Sequence, residues 1–187
     1  MQRCVERLPN SLRAMGGVDP LWEIQALTKK HKRESFDSGE PALDGFLKQQ
    51  ARQNADRGIS RTWVAVRGST HLVEGYYTLR SGQVAFEVLP EDEKKKLPRY
   101  PVPVVHWARL AVTKSAAGLG LGETLLMDAF EKTLRVEHDV GVYAVEVFAK
   151  TERARAFYAR YGFHSLRDDP LHMYLGLAAI RNAFGGA

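Results

Sequence analysis

A run of glycines between an extended stretch and a helix constrains this chain more than any other feature. The segment Arg109-Leu110-Ala111-Val112-Thr113-Lys114-Ser115-Ala116-Ala117-Gly118-Leu119-Gly120-Leu121-Gly122 leaves an apolar, strand-like stretch and turns through three alternating glycines. Beyond it, Leu121, Leu125 and Ala129 stack at i+4 beside Leu126, Phe130 and Leu134, which predicts an amphipathic helix from Gly120 to about Glu137. Glycine lets backbone approach a ligand without a Cβ in the way. The unpaired N–H groups at a helix start, backed by the helix dipole, attract phosphate oxygens. A dinucleotide-binding turn would read G-x-G-x-x-G after an early strand, and a Walker loop would continue into Gly-Lys-Ser/Thr. The spacing here, G-x-G-x-G late in the chain, is neither. The same glycines would serve a tight turn with close helix packing, so the flanking residues have to decide.

Elsewhere the pattern alternates between strand and helix. Leu21–Leu27 reads as a strand, and Pro41 opens a helix with Leu43, Phe46, Leu47, Gln50 and Ala51 at helical spacing that stops near Gly58. Thr62–Val66 and His71–Leu79 form a predicted hairpin around Gly68-Ser69-Thr70. Val84–Leu89 continues in apolar style, and Pro90–Pro98 is a charged, helix-prone crossing. Residues 101–112 are extended, with Pro101 and Pro103 limiting the sheet to the later half. Val142–Phe148 is a buried strand, Thr151–Arg160 a helix closed by Tyr161-Gly162-Phe163, and Leu171–Leu177 the last strand. Antiparallel strands followed by strand, helix, strand, helix, strand give an α/β class with a mixed sheet.

A chain of 187 residues matches one domain. Residues 21–180 carry the pattern. Residues 1–20, with Pro9, Gly16, Gly17 and Pro20 and little periodicity, read as an irregular extension, and 181–187 as a tail. The lone Cys4 excludes an internal disulfide. His106, His138, His164 and His172 lack paired ligand spacing, so no metal is expected. No apolar run approaches the ~20 residues that cross a bilayer, and the start lacks a signal-like stretch, so a cytoplasmic protein is expected.

The net charge of +5 favours an anionic partner without naming one; a mild excess that only keeps the protein soluble would look the same. Lys29, Lys30, Lys32, Arg33, Lys94, Lys95, Lys96 and Arg99 form two clusters suited to a nucleic-acid backbone, with Tyr100 and Trp107 beside them. Each taken singly is an ordinary solvated charge.

Taken together, Arg109-Leu110-Ala111-Val112, Gly118-x-Gly120-x-Gly122 and Thr124-Leu125-Leu126 resemble the acetyl-CoA pyrophosphate loop of the GCN5-related N-acetyltransferase (GNAT) family. Phe36-Asp37-Ser38-Gly39, Leu43-Asp44 with Phe46-Leu47, Gly75-Tyr76-Tyr77-Thr78-Leu79, Tyr100-Pro101-Val102-Pro103-Val104 and Ala156-Phe157-Tyr158 through Tyr161-Gly162-Phe163 are similar to its toxin branch. The resemblance covers about Trp22 to Leu177. It implies a single GNAT domain with a mostly antiparallel sheet flanked by helices, acetyl-CoA as cofactor, and a homodimer paired with a ribbon-helix-helix antitoxin. The implied reaction is acetylation of the free amino group of aminoacyl-tRNA, which blocks translation.

The resemblance also implies site roles. The backbone of Leu110, Ala111 and Val112 would line the pantetheine arm, and Ala117, Gly118, Leu119, Gly120, Leu121 and Gly122 would hold the pyrophosphate. Ser115 would touch a phosphate or cap the turn. The family loop usually begins with Gln or Arg where this chain has Ala117, so a weakened rather than abolished grip is expected. Tyr158 matches the tyrosine beside the cofactor sulfur; a phenol stays protonated near neutrality and can donate to the departing thiolate. Helical spacing with Ala154, Phe157 and Tyr161 also fits Tyr158 as a packing aromatic, Tyr161 is the competing tyrosine, and Arg109 reads as structural. An aminoacyl-ester amine is less basic than lysine's, so a strong protein base is not required. Lys32, Arg33, Lys94, Lys95, Lys96 and Arg99 would contact tRNA. Two alternatives stay open: acetylation of a small amine or protein amino group, and a cofactor-poor binding protein marked by Ala117.

Overall fold

The computed structural model describes residues 21–184. The expected extension 1–20, with Cys4, and residues 185–187 of the expected tail lie outside them. Seven strands follow the order β1-β2-β3-β4-β5-β7-β6 in one mixed sheet: β1 (Glu23–Ala26), β2 (Arg61–Val66), β3 (Val73–Val84), β4 (Val102–Val112), β5 (Ala144–Phe148), β6 (His164–Ser165) and β7 (His172–Gly176). The chain divides into two compact units; among the described residues, one comprises 21–80 and Trp107–Lys132, the other Ser81–His106 and 133–184.

In the first unit β1 and β2 pair antiparallel with Glu23 opposite Val66, and β2 pairs with β3 with Trp63 opposite Tyr77. Consecutive strand residues point to opposite faces, and Tyr76 and Tyr77 use this fully. Tyr76 is buried among Phe36, Phe46, Leu47, Val64, Val66 and Ala111, with its hydroxyl donating to the Leu43 carbonyl at 2.8 Å. Tyr77 stacks on Trp63 at 5.3 Å and donates to Asp128 of helix α4 (Leu121–Glu137). On the Tyr76 side lie α1 (Pro41–Gly45), a π-helical turn (Phe46–Gln50) and α2 (Ala51–Asp56). The periodicity predicts one helix here. The interruption falls where Ala51 N–H donates five residues back to Phe46 and the Arg33 guanidinium takes the Leu47 carbonyl at 3.1 Å. Trp107 packs on Phe130 of α4, whereas Arg109 lies 3.7 Å over the Phe46 ring on the Tyr76 side. Two residues apart on one strand yet on opposite faces, they require an extra residue, a bulge, between them.

In the second unit β7 pairs antiparallel with β5 on one side and with the two-residue β6 on the other. Val84, Leu89, Val102, Val104, Ala144, Leu166 and Tyr174 form its core. The crossing carries the short helix α3 (Glu91–Lys94), and Tyr143 donates to Glu93 there. Helix α5 (Glu152–Arg160) starts at Thr151, whose hydroxyl accepts from Ala154 N–H at 3.2 Å, and ends before Gly162, at φ +88°. Helix α6 (Leu177–Phe184) occupies what reads in sequence as the strand's end and part of a tail. Contrary to the proline argument, β4 begins at Val102, and the Pro103 carbonyl accepts from Tyr143 N–H at 2.9 Å.

Candidate active site

The loop between β4 and α4 is clamped at its start and open at its end. Lys114 N–H and the Thr113 hydroxyl both donate to the Asp37 carbonyl, at 2.8 and 3.1 Å, while Lys114 Nζ meets Asp37 Oδ2 at 2.9 Å. That lysine holds the Asp37 carboxyl below the usual carboxylate range. Gly39, at φ +87°, lets Lys114 pass; a Cβ there would sit 3.0 Å from Lys114 Cε. The Phe36–Gly39 motif therefore serves as a latch on the loop, a role its sequence does not reveal. Gly118 and Gly120 adopt φ of +80° and +87° with open space around them, so conformation rather than crowding demands glycine.

Past the 3₁₀ turn Lys114–Ala116, the N–H groups of Gly118, Gly120, Leu121 and Gly122 have no acceptor among the described residues. Four free donors at the start of a 17-residue helix fit a diphosphate such as that of acetyl-CoA. Ala117 and Ser115 are exposed beside them. Arg109 is seated on the Phe46 ring as a packing cation.

Tyr158 lies in the second unit on α5, buried, packing at 5.3 Å on Phe163 and 5.4 Å on Phe157. Its hydroxyl makes no hydrogen bond among the described residues. Burial pushes the phenol up to about 12, which keeps the proton on oxygen at neutral pH. That is the state a proton donor needs. Tyr161 is also buried and packs on Phe157 at 5.2 Å.

A cluster that the spacing of the histidines does not show sits in the same unit. Glu146 of β5 accepts from His106 of β4 (Nδ1 to Oε2, 2.5 Å) and from His172 of β7 (Nε2 to Oε1, 2.7 Å), and His172 Nδ1 donates to Asp168 Oδ2 at 2.8 Å. His106, Glu146 and His172 are all buried. Burial alone would raise the Glu146 carboxyl; the two histidine contacts outweigh it and bring it down to about 2. Burial opposes the charge on His172 too, but Glu146 and Asp168 raise its pKa above the ordinary histidine value. The four groups form a chain rather than a cage, and no set of three or more metal-ligating side chains among the described residues converges on a point. The sequence signal is Glu146 itself, an acid in an otherwise apolar strand.

A family model for the acetyltransferase (GNAT) domain matches residues 58–165. The chain belongs to the GNAT family. A curated relative, the tRNA-acetylating toxin of Mycobacterium tuberculosis (strain ATCC 25618 / H37Rv), is 39% identical over 151 residues, 81% of this chain and 89% of that protein. Among solved structures, AtaT complexed with acetyl-methionyl-tRNAfMet superposes with a TM-score of 0.82 at 29% identity, covering 87% of this chain and 99% of the other. A tyrosine-to-phenylalanine mutant of the AtaT toxin, bound to the C-terminus of the antitoxin AtaR and acetyl-CoA, gives 0.75 at 26% identity, covering 88% and 98%. The fold is thus that of the GNAT toxins.

For a GNAT domain the basic clusters divide sharply. Lys94, Lys95 and Lys96 each pair with the acid three residues earlier, at 3.1 Å to Glu91, 3.3 Å to Asp92 and 3.0 Å to Glu93. Arg33 is half-buried and fixed on the Leu47 carbonyl. Lys29, Lys30, Lys32 and Arg99 are exposed and hold no ion pair among the described residues. Tyr100 is 59% exposed and open to a base. Trp107, expected to lie near such a surface, is buried against Phe130 and offers no stacking face.

Proposed function

We propose that this chain is an acetyl-CoA-dependent N-acetyltransferase of the toxin kind whose acceptor is the amino group of aminoacyl-tRNA. The observation that carries the reading is the set of four free backbone donors opening α4, in a chain 39% identical to a tRNA-acetylating toxin. Acetyl-CoA supplies an acetyl thioester that an amine can attack. Gly118, Gly120, Leu121 and Gly122 hold the pyrophosphate by N–H, with Ala117 and Leu119 completing the turn, and the backbone of Leu110, Ala111 and Val112 takes the pantetheine arm as an added strand would. Because the donors are backbone groups, Ala117 lowers affinity without removing the site, which weighs against a cofactor-poor binding protein. Tyr158 donates the proton that the departing thiolate needs.

On the acceptor side, Lys29, Lys30, Lys32 and Arg99 carry the initial attraction to the tRNA backbone. Lys95 exchanges the exposed Asp92 for a phosphate, because such a surface pair is worth only ~0–1 kcal/mol, whereas Lys94, whose side chain is mostly covered, and Lys96, paired with the half-buried Glu93, add charge to the same surface. Arg33 contributes through position more than contact. No helix among the described residues is long and apolar enough to cross a membrane, and we infer a cytoplasmic homodimer silenced by a small ribbon-helix-helix antitoxin. The deciding experiment is transfer of labelled acetyl from acetyl-CoA to a mixed pool of charged tRNA, with deacylated tRNA and polyamines as controls. Label on charged tRNA alone is expected; label on polyamines instead would move the acceptor to small amines.

A further inference from the structure

The Arg109 guanidinium has a seat but no counter-charge. Its Cζ lies 3.7 Å above the centre of the Phe46 ring, so close that the fork must lie flat, since a nitrogen turned toward the ring would collide with it. A guanidinium held flat sends its N–H groups outward in its own plane. Among the described residues Arg109 makes no side-chain hydrogen bond and meets no carboxylate, and none of its nitrogens is sealed from solvent.

A structural arginine here would need an acid, and the neighbouring groups supply none. Asp44 of α1 is taken by the Ser38 N–H and hydroxyl, at 3.0 and 2.6 Å. Tyr76 spends its hydroxyl on the Leu43 carbonyl, and burial raises its pKa far above the ordinary phenol value, so it brings no charge. What does act on Arg109 is a second cation. Tyr76, Thr78 and Arg80 share one face of β3, and Arg80 is exposed and without an ion pair among the described residues. Burial, and with it the Arg80 charge, lowers the Arg109 pKa. Two cations without an acid repel, and the half-buried one is also desolvated; an anion shared between them relieves both. Phe46 itself opens the π-helical turn, a deformation frequent at functional sites.

We propose that Arg109, with Arg80, binds a phosphate of the acceptor's nucleic-acid backbone, Arg109 bidentately through its outward edge. The assignment rests on the aminoacyl-tRNA reading above and adds to it. Exposed lysines attract a polyanion from any direction, whereas a fork fixed on an aromatic ring takes a phosphate in one orientation and so sets where the tRNA lies. Acetyl-CoA also carries phosphates, but the four backbone donors opening α4 already serve its diphosphate.

The test is tRNA binding as a function of salt for wild type, Arg109→Gln, Arg109→Lys and Arg80→Gln, with acetyl-CoA calorimetry on each. One phosphate contact contributes ~0.7–0.9 to the slope of log K against log salt concentration. We expect Arg109→Gln to lose about that much slope and to weaken tRNA binding about tenfold at low salt, with the acetyl-CoA Kd unmoved. Arg109→Lys should keep the slope yet bind several-fold more weakly, because an ammonium cannot fork. Arg80→Gln, at an exposed position with no partner to lose, should also shallow the slope, and it tests the same contact where Arg109→Gln fails to fold. Unchanged slopes in both glutamine variants overturn the assignment. A weakened acetyl-CoA Kd with the tRNA slope unchanged also overturns it, giving the phosphate to the cofactor. Charged tRNA that the wild-type protein never acetylates overturns the acetyltransferase reading alone, since the slopes are measured by binding.

Discussion

Replacing Gly75 with alanine adds one methyl group where β3 faces α4. A Cβ at this position would lie 2.9 Å from Leu125 Cδ1 and 3.0 Å from Leu121 Cδ2. Both leucines are fully buried, so neither can swing aside into solvent. Overpacking of this kind costs ~1–3 kcal/mol, offset by the ~0.4–1 kcal/mol that alanine gains over glycine through the unfolded chain. The net is a loss of roughly 1–2 kcal/mol, and a chain of this length loses about 2–4 °C of Tm per kcal/mol. Leu125→Ala alone opens a cavity at a fully buried site and costs ~2–5 kcal/mol. In the double variant the new methyl enters the vacated space, so the combined loss falls short of the sum by ~1 kcal/mol or more. Leu121 is also the first residue of α4 and one of the four free donors. Pushing it should weaken acetyl-CoA binding in Gly75→Ala, and Leu125→Ala should partly restore it. Urea melts of the four proteins, with acetyl-CoA calorimetry on each, test both halves. A neutral Gly75→Ala, or strictly additive losses, would refute the argument that this glycine sets the spacing between sheet and helix.

Tyr158→Phe should lower kcat ~100-fold or more while leaving acetyl-CoA affinity unchanged, since only the hydroxyl is removed from a side chain held by Phe157 and Phe163; wild-type turnover in this variant would return Tyr158 to a packing role. Ala117→Arg places a charged donor beside the exposed loop and should tighten acetyl-CoA about tenfold by calorimetry, ~1.4 kcal/mol; unchanged affinity would show that the side chain at this position does not reach the phosphates. For acid stability, the Glu146 carboxyl lies near 2 in the folded chain against 4.5 unperturbed, so its contribution is fully present above 4.5 and is lost as pH falls toward 2. His172, raised above 6.5, contributes below that value and loses its share as pH climbs through its folded pKa. Urea midpoints measured across this range should decline at both ends in wild type, and Glu146→Gln should flatten the acid side; an unchanged acid limb would place the acid-labile group elsewhere.

What the sequence discloses depends on how far apart the cooperating atoms are along the chain. The glycine loop is legible because free donors, positive φ and helix start fall within a few consecutive residues, Gly118 to Gly122. The lysine pairing is just as local, Glu91-Asp92-Glu93 followed by Lys94-Lys95-Lys96 setting each lysine three residues after an acid, yet the run reads in sequence as a basic cluster for tRNA because charge type alone does not show which cations are already paired. Trp107 misleads because its face depends on a bulge before Arg109, and no residue type in that run announces an extra residue. The latch from Asp37 to Lys114 spans 77 positions, and the motif around Asp37 shows only that something local is being shaped. His106, Glu146 and His172 stand 40 and 26 positions apart, and only strand register brings them together: Phe148 opposite His172 and Glu146 opposite Tyr174 put all four side chains on one face of β5 and β7. A one-residue slip in that register would turn Glu146 to the other face and leave both histidines without their acid. A substitution that shifts β7 against β5 should therefore strip Glu146 of the His172 contact and flatten the acid limb of the urea profile, as Glu146→Gln does.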